Sequence, residues 1–526
     1  MNGLPISPSV AADSSALSPK STQIIHDVEA AILAHAGLTA DDTTSRPALL
    51  ARALAQTGLG SLSIAMSTLT GGTTWTRAYG VRRVTETDHD LDVVMDPISE
   101  STTVFQAASI SKPVFAVAVM RLVQQGRVDL DADIRTYLTE WALPCKLPGV
   151  EATVPITLRM LLAHVGGTNV GGFEGYNRRA VMEGKLKMPA TTVGVIDGEG
   201  NSDPLVIQRL PGLQIRYSGG GTMLAQHIIE QITQQPIHEV VSALVFTPLG
   251  LTRSTFENSR FAPNNGDYAP GHFDDDDDVL TPVPGGFNMY PESSAAGMWT
   301  TPEEVNFIMS AVESSARGER VRGEVFLRQE LAAEMLTPRF AGPCGVGWFI
   351  YRQNRFFGHS GANEGYSCDA VCDRETGTTL TVMTTSYYHK FKPLIQAIES
   401  AVFGPPQPGA SPLPDLAAHP APITLAEIAG TWIVTNETLR QRPTSMSTLA
   451  VHVKDGDAVR VRLPGLVVPE TVAAELAFEQ PDVNGIVLNV FTDISVRFTR
   501  DVEGAVVAVL TNGDAEEKLR FVREVV

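Results

Sequence analysis

Phe105-Gln-Ala-Ala-Ser109-Ile-Ser-Lys112-Pro113 sets a hydroxyl and an amine three residues apart at the start of a predicted helix. Residues at i and i+3 on a helix are neighbours, and a serine at a helix N-terminus has its backbone N–H aimed at any anion that forms there. Acyl transfer needs that geometry. A lone Ser-x-x-Lys is more often a capped helix with an exposed lysine, so its surroundings decide. The run that follows, Val114-Phe-Ala-Val-Ala-Val-Met120-Arg-Leu-Val123, is apolar almost all round. Such a helix is expected to be buried in a large core with its first turn at a cleft. A buried helix that presents a serine and a lysine calls for a chemical role.

Two glycine-bounded elements downstream supply one. Arg216-Tyr217-Ser218-Gly219-Gly220-Gly221 places a tyrosine before a glycine run, which predicts a helix opening at Thr222. Phe357-Gly358-His359-Ser360-Gly361-Ala362 reads as a strand whose glycines let a substrate lie close to the backbone. In order and spacing, these segments together with Ser109 and Lys112 resemble the three motifs of the serine β-lactamase and penicillin-binding protein superfamily. The resemblance is nearest to the class C β-lactamase-like esterases and D-aminopeptidases, where the third motif begins with histidine. It extends to Ile156-Thr-Leu-Arg-Met-Leu-Leu-Ala-His164-Val-Gly-Gly, to Leu249–Phe256 and to Tyr290–Glu304, and covers roughly residues 45 to 404.

The resemblance implies an acyl-enzyme on Ser109. Lys112 and Tyr217 are the candidate bases: a serine hydroxyl is a poor nucleophile until a neighbour takes its proton, and burial lowers a lysine's pKa. The family assigns the base role to the tyrosine, while the residues alone leave open which of the two holds the proton. His359 is expected to orient the tyrosine and contact the substrate, and Ser360, Gly361 and Gly219 to line the substrate site. The oxyanion hole implied is the backbone N–H of Ser109 with that of Ala362, donors fixed before reaction. His164 reads as structural. One departure bears on substrate: the family's second motif commonly ends in asparagine, an amide donor toward acylamino substrates, where this chain has Gly219.

Composition narrows the field. The 526 residues suggest two or three domains, and 43% hydrophobic with 19% charged residues is ordinary for a globular protein. A net charge of −19 argues against nucleic-acid or anionic membrane partners. The run Asp274-Asp-Asp-Asp-Asp278 lacks the alternation and glycine of a calcium loop and reads as a solvated surface. The N-terminus shows neither the basic start nor the apolar run of a secretory signal, and no stretch is long enough to span a bilayer. Four cysteines, Cys145, Cys344, Cys368 and Cys372, fit a reducing, cytoplasmic setting, with Cys368 and Cys372 as small buried hydrophobes on one face of a strand.

The fold class expected is α+β: a β-lactamase-like antiparallel sheet flanked by helices, with a helical subdomain, followed by a small antiparallel β-barrel. Residues 1–21 read as a flexible lead-in and 22–404 as the hydrolase domain, with a helix near Gln23–His35, a hairpin from Leu62, Ile64 and Met66 to Thr73–Tyr79, strands at 346–351, 355–358, 366–372 and 378–385, and a closing helix at Lys392–Val402. Strands from both ends enclosing a helical middle imply one sheet with the motifs at its seam. Residues 405–422 are a proline-stiffened linker, and 423–526 carry short strand signals with Ile428-Ala-Gly-Thr-Trp432 resembling a lipocalin-like barrel. The function expected is a serine hydrolase cleaving an ester or amide of a small molecule, with no metal, no cofactor and a homo-oligomer left open. The alternatives are an acyltransferase, a D-aminopeptidase or β-lactamase-type amide hydrolase, and a non-catalytic binding protein.

Overall fold

The computed structural model describes residues 19–39, 46–69, 72–83, 95–138, 141–146, 155–209, 211–212, 215–257, 267–274, 280–340, 343–352, 354–386 and 388–404. Beyond these it describes seven strands between 430 and 523. The lead-in before Pro19, the linker and all of the acidic run except Asp274 lie outside the described residues.

A seven-stranded antiparallel sheet runs edge to edge as Phe349–Tyr351, Phe356–Asn363, Tyr366–Asp373, Thr378–Thr384, Ser61–Thr68, Gly72–Arg83 and Met95–Pro97. The N-terminal hairpin thus sits beside strands from residue 349 onward, with Leu62 opposite Thr384 and Ile64 opposite Val382. That is the assembly from distant segments expected of strands enclosing a helical middle. Leu62, Ile64 and Met66 face an apolar layer with Leu380, Val382 and Val371, roofed by the helices Pro19–His35, Arg46–Thr57 and Tyr388–Phe403. The first of these begins four residues ahead of the predicted Gln23.

The small and polar residues that alternate with them do not face water. Ser63, Ala65 and Ser67 are buried, and the helix Pro302–Ala316 lies across them, with Asn306 Nδ2 donating to Ala65 O at 2.8 Å and Thr381 Oγ1 donating to Asn306 Oδ1 at 2.7 Å. Small side chains there let the helix approach the backbone. This second face continues into the larger core, which holds Phe357, Ala370 and Met383 of the sheet and the whole apolar run of the helix Ser111–Gln124. That helix closes at Gly126, whose φ of 69° no side chain prefers and whose N–H reaches Val123 O.

Several boundaries shift: the strand expected at 355–358 runs from Phe356 to Asn363, and the closing helix expected from Lys392 begins at Tyr388. The strand expected from Val346 begins at Phe349, and the helix expected from Thr222 opens at Gly219, because Ser218 caps it by accepting from Gly221 N at 2.8 Å. The strands expected beyond residue 430 are present and antiparallel, with one more at Leu519–Arg523, in the order Ala458–Arg462, Thr448–Lys454, Gly430–Val434, Leu519–Arg523, Val506–Asn512, Ile494–Arg500 and Ile486–Phe491.

Candidate active site

Ser109 stands not in the helix but in a 3-10 turn, Ala108–Ile110, that leads into it at Ser111. The turn keeps the i to i+3 neighbourhood: Lys112 Nζ donates to Ser109 Oγ at 3.1 Å. Ala108 holds a left-handed φ of 45°, a conformation that a residue with a Cβ adopts only when its surroundings dictate it. From Thr103 to Met120 every residue is buried except Ser109. The two other serines of the motifs are occupied. Ser111 Oγ donates to Ala108 O and accepts from Met298 N, while Ser218 Oγ caps its helix and meets Thr168 Oγ1 and Val170 O.

Lys112 is buried, and its Nζ also donates to Ala295 O at 2.7 Å and lies 4.8 Å from the centroid of the Tyr217 ring. Burial lowers its pKa to about 7, so a large fraction is neutral near neutral pH. Tyr217 moves the other way: burial raises its hydroxyl, with the Ser109 hydroxyl pulling back. The Tyr217 ring is enclosed by His164 at 4.5 Å, His359 at 6.0 Å and Phe349 at 6.4 Å between centroids. His359 Nδ1 lies in hydrogen-bond contact with Ser360 O, which requires the proton on Nδ1 and leaves Nε2 with a lone pair. Burial, and then the charge of Lys112, hold its pKa down to about 3. In His164 the roles reverse: Nδ1 accepts from Ser218 N at 3.2 Å, and burial holds the ring neutral. Among the described residues, Tyr217 Oη, His359 Nε2 and His164 Nε2 are buried without a hydrogen-bond partner of regular geometry. Such atoms are rare in folded proteins, and these three belong to rings packed on one another.

The strand Phe356–Asn363 reaches the turn from the far side. His359 and Gly361 are buried, Ser360 is half-buried and Ala362 is exposed at the seam. Gly361 has to be glycine: a Cβ there would fall 2.6 Å from Ala107 O and 2.9 Å from Ser109 N. The strand therefore abuts the turn backbone to backbone, bringing the segment that carries Ala362 beside Ser109. Gly219 is crowded too, for a Cβ there would lie 2.6 Å from the half-buried ring of Phe173 and 3.1 Å from Gly171 O.

The structure thus gathers Ser109, Lys112, Tyr217 and His359, and sets Gly361 against the turn. It also adds residues that the motifs alone do not indicate. Ala295 contributes only a carbonyl, and Phe349 needs the hairpin register that pairs it with Gly358. Asn363 ties the strand to Gln106 Oε1 at 2.8 Å and Ala296 O at 3.0 Å. Glu292 heads the short helix Ser293–Ala296; it is fully buried with neither carboxylate oxygen partnered among the described residues, and burial pushes it up to about 7. Among the described residues no group of histidine, cysteine or acidic side chains is arranged to hold a metal, and no helix is long and apolar enough to cross a membrane.

The profile of the Beta-lactamase family matches residues 49–403. Esterase EstB of Burkholderia gladioli is 28% identical over 350 residues, which are 58% of this chain and 83% of that protein. Penicillin-binding protein 4 of Amycolatopsis lactamdurans is 25% identical over 354 residues, 63% of this chain and 84% of that protein. In fold, the octameric penicillin-binding protein homologue from Pyrococcus abyssi superposes with a TM-score of 0.52 at 20% identity, over 89% of this chain and 97% of that one.

Proposed function

We propose a function on one premise: the chain belongs to the Beta-lactamase family. It is a serine hydrolase, and we read it within the class C-like esterase branch, cleaving esters of small molecules through an acyl-enzyme on Ser109. The observation that carries this reading is the contact of Lys112 Nζ with Ser109 Oγ at 3.1 Å, made by a buried lysine to the one residue between Thr103 and Met120 that is not buried. In the proposed sequence neutral Lys112 takes the Ser109 proton as Oγ attacks the substrate carbonyl. The oxyanion lies between the N–H groups of Ser109 and Ala362. Tyr217, which keeps its proton, gives it to the departing alkoxide and is reprotonated from Lys112. Water then attacks the acyl carbon, the same groups carry its proton, and Ser109 Oγ leaves with its hydrogen restored. His359 lies against the Tyr217 ring, 6.0 Å between centroids, and holds it in place as a neutral imidazole. The choice of Lys112 over Tyr217 as the resting base rests on the opposite directions in which burial moves them.

Ester rather than amide follows from Gly219. No side chain there can donate to an acylamino group, and the Phe173 ring fills the space in which one would start. A missing hydrogen bond in a desolvated site costs about 1–3 kcal/mol, about one to two orders of magnitude in rate. The test compares kcat/KM for p-nitrophenyl esters, D-amino acid amides and a chromogenic cephalosporin. The esters should lead, and only the pair Phe173→Ala with Gly219→Asn should shift the ratio toward amides, by about ten-fold; Gly219→Asn alone should fold poorly. A wild type that prefers the cephalosporin makes this an antibiotic hydrolase instead.

We extend the reading to the rest of the chain. Cys145, Cys344, Cys368 and Cys372 form no disulfide, which supports a reducing, cytoplasmic setting. The residues from 423 onward we read as a lipocalin-like barrel that shapes the mouth of the site or joins subunits. A chain ending near Pro405 should still hydrolyse a small activated ester.

A further inference from the structure

The turn that carries Ser109 meets the strand that carries Ala362 without a side chain between them, since Gly361 has none to offer. Asn363 ties the strand to Gln106 at 2.8 Å, one residue before Ala107, and a second side chain reaches Ala107 itself. Cys368 pairs with Gly361 across the ladder to Tyr366–Asp373, and its side chain emerges on the face toward the turn. Its Sγ lies 3.1 Å from Ala107 O and 3.6 Å from Gly361 O, in a fully buried position. Both acceptors sit one peptide from a residue of interest: Ala107 precedes the left-handed Ala108, and Gly361 precedes Ala362. The remaining ties on Ala107 are backbone bonds to Met298 O at 2.8 Å and from Ile110 N at 2.9 Å, neither of which reaches the strand.

We propose that Cys368 is a positioning residue, whose thiol bridges Ala107 O and Gly361 O and so sets the distance between the two backbone N–H groups that receive the oxyanion. This rests on the reading of Ser109 as nucleophile. A thiol is a weak donor, but in a dry interior a weak donor shared by two carbonyls has no water to compete with. Burial pushes the Cys368 thiol well above its ordinary value, which keeps the proton on sulfur. Cys368 touches no reacting atom. It acts through the backbone, where a displacement of a fraction of an ångström is felt in the transition state.

The test measures turnover of an activated p-nitrophenyl ester per site titrated with a fluorophosphonate, together with the inhibition constant of an aryl boronic acid, whose tetrahedral anion occupies the same hole. Cys368→Ala should lose about ten-fold in kcat with KM within about two-fold, less than the loss of a whole oxyanion donor, and boronate affinity should fall in proportion. Cys368→Ser keeps a donor and should stay within about three-fold of wild type on both measures. A purely structural role would lower the melting temperature and the titratable fraction while leaving kcat per titrated site and the boronate constant unchanged. That result overturns the proposal, as does a serine variant no better than the alanine. If the alanine variant gives too little folded protein, Cys368→Val against Cys368→Ser makes the same comparison of donor removed with donor kept, and equal values overturn it. A wild type that takes no label and turns over no ester defeats the reading of the site itself, and does so before any variant is made.

Discussion

The apolar layer beneath Pro19–His35, Arg46–Thr57 and Tyr388–Phe403 and the seam at Ser109 lie on opposite faces of one sheet and are built in opposite ways. In the first, Leu62, Ile64, Leu380 and Val382 meet Leu394 and Ile398 with no polar atom among these side chains. In the second, a left-handed alanine and a lysine brought to about 7 adjoin a single half-open serine, and three buried polar atoms without regular partners cluster at the Tyr217 ring beside that lysine. Stability accumulates where contacts are apolar and redundant, whereas strain and unpaired atoms persist where a reaction needs them. The difference teaches where to expect a substitution to act: on folding in one region, on rate in the other.

The largest effect should come from the seam. Ser109→Ala should cut turnover by about 10⁴-fold or more, because only binding and the oxyanion donors remain, while the melting temperature stays level or rises. Next come the proposed proton carriers. Lys112→Ala and Tyr217→Phe should each cost about 10²-fold, and the double variant far less than the product, because the two serve one proton path. Unchanged activity in Tyr217→Phe would remove it from that path.

A smaller effect separates Lys112 from the buried Glu292. Protonated Lys112 cannot accept the serine proton, so activity is present above its pKa and lost below it: kcat/KM should fall about ten-fold per pH unit below about 7 and level off above. Glu292 titrates in the same range, yet Glu292→Gln should leave this limb in place. A limb that vanishes in that variant would transfer the titration to the carboxyl. The smallest effect on rate belongs to the other region. Leu394→Ala should cost about 2–5 kcal/mol of stability, read as a lowered melting temperature, with kcat per titrated site unchanged. A change in that value would show that the two faces are coupled through the sheet.

What could be read from the chain divides along the same line. The apolar face was legible because Leu62, Ile64 and Met66 alternate strictly and Ile24, Val28 and Ile32 recur at helical spacing, so burial and period agree. The motif residues were legible because glycines punctuate them. The same alternation concealed the second buried face, since Ser63, Ala65 and Ser67 pattern like a solvated edge until Pro302–Ala316 is seen to cover them. Ala295, Phe349 and Phe173 went unread, and Cys368 was legible only as a small buried hydrophobe, because their contacts at the seam exist only after distant segments have come together. The start of the helix at Ser111 rather than at Ser109 is a local departure: the left-handed Ala108 breaks the helical run, and nothing in Ala-Ala-Ser announces it.

Ser109 is the residue proposed to take the acyl group, and the most direct measurement is the mass of the labelled protein. After reaction with a fluorophosphonate or a slowly hydrolysed p-nitrophenyl ester, peptide mapping should find one adduct, on Ser109, absent from Ser109→Ala. Ser111 and Ser218, each already engaged in hydrogen bonds to backbone, should carry none. An adduct on either of them, or full labelling of Ser109→Ala, would contradict the assignment.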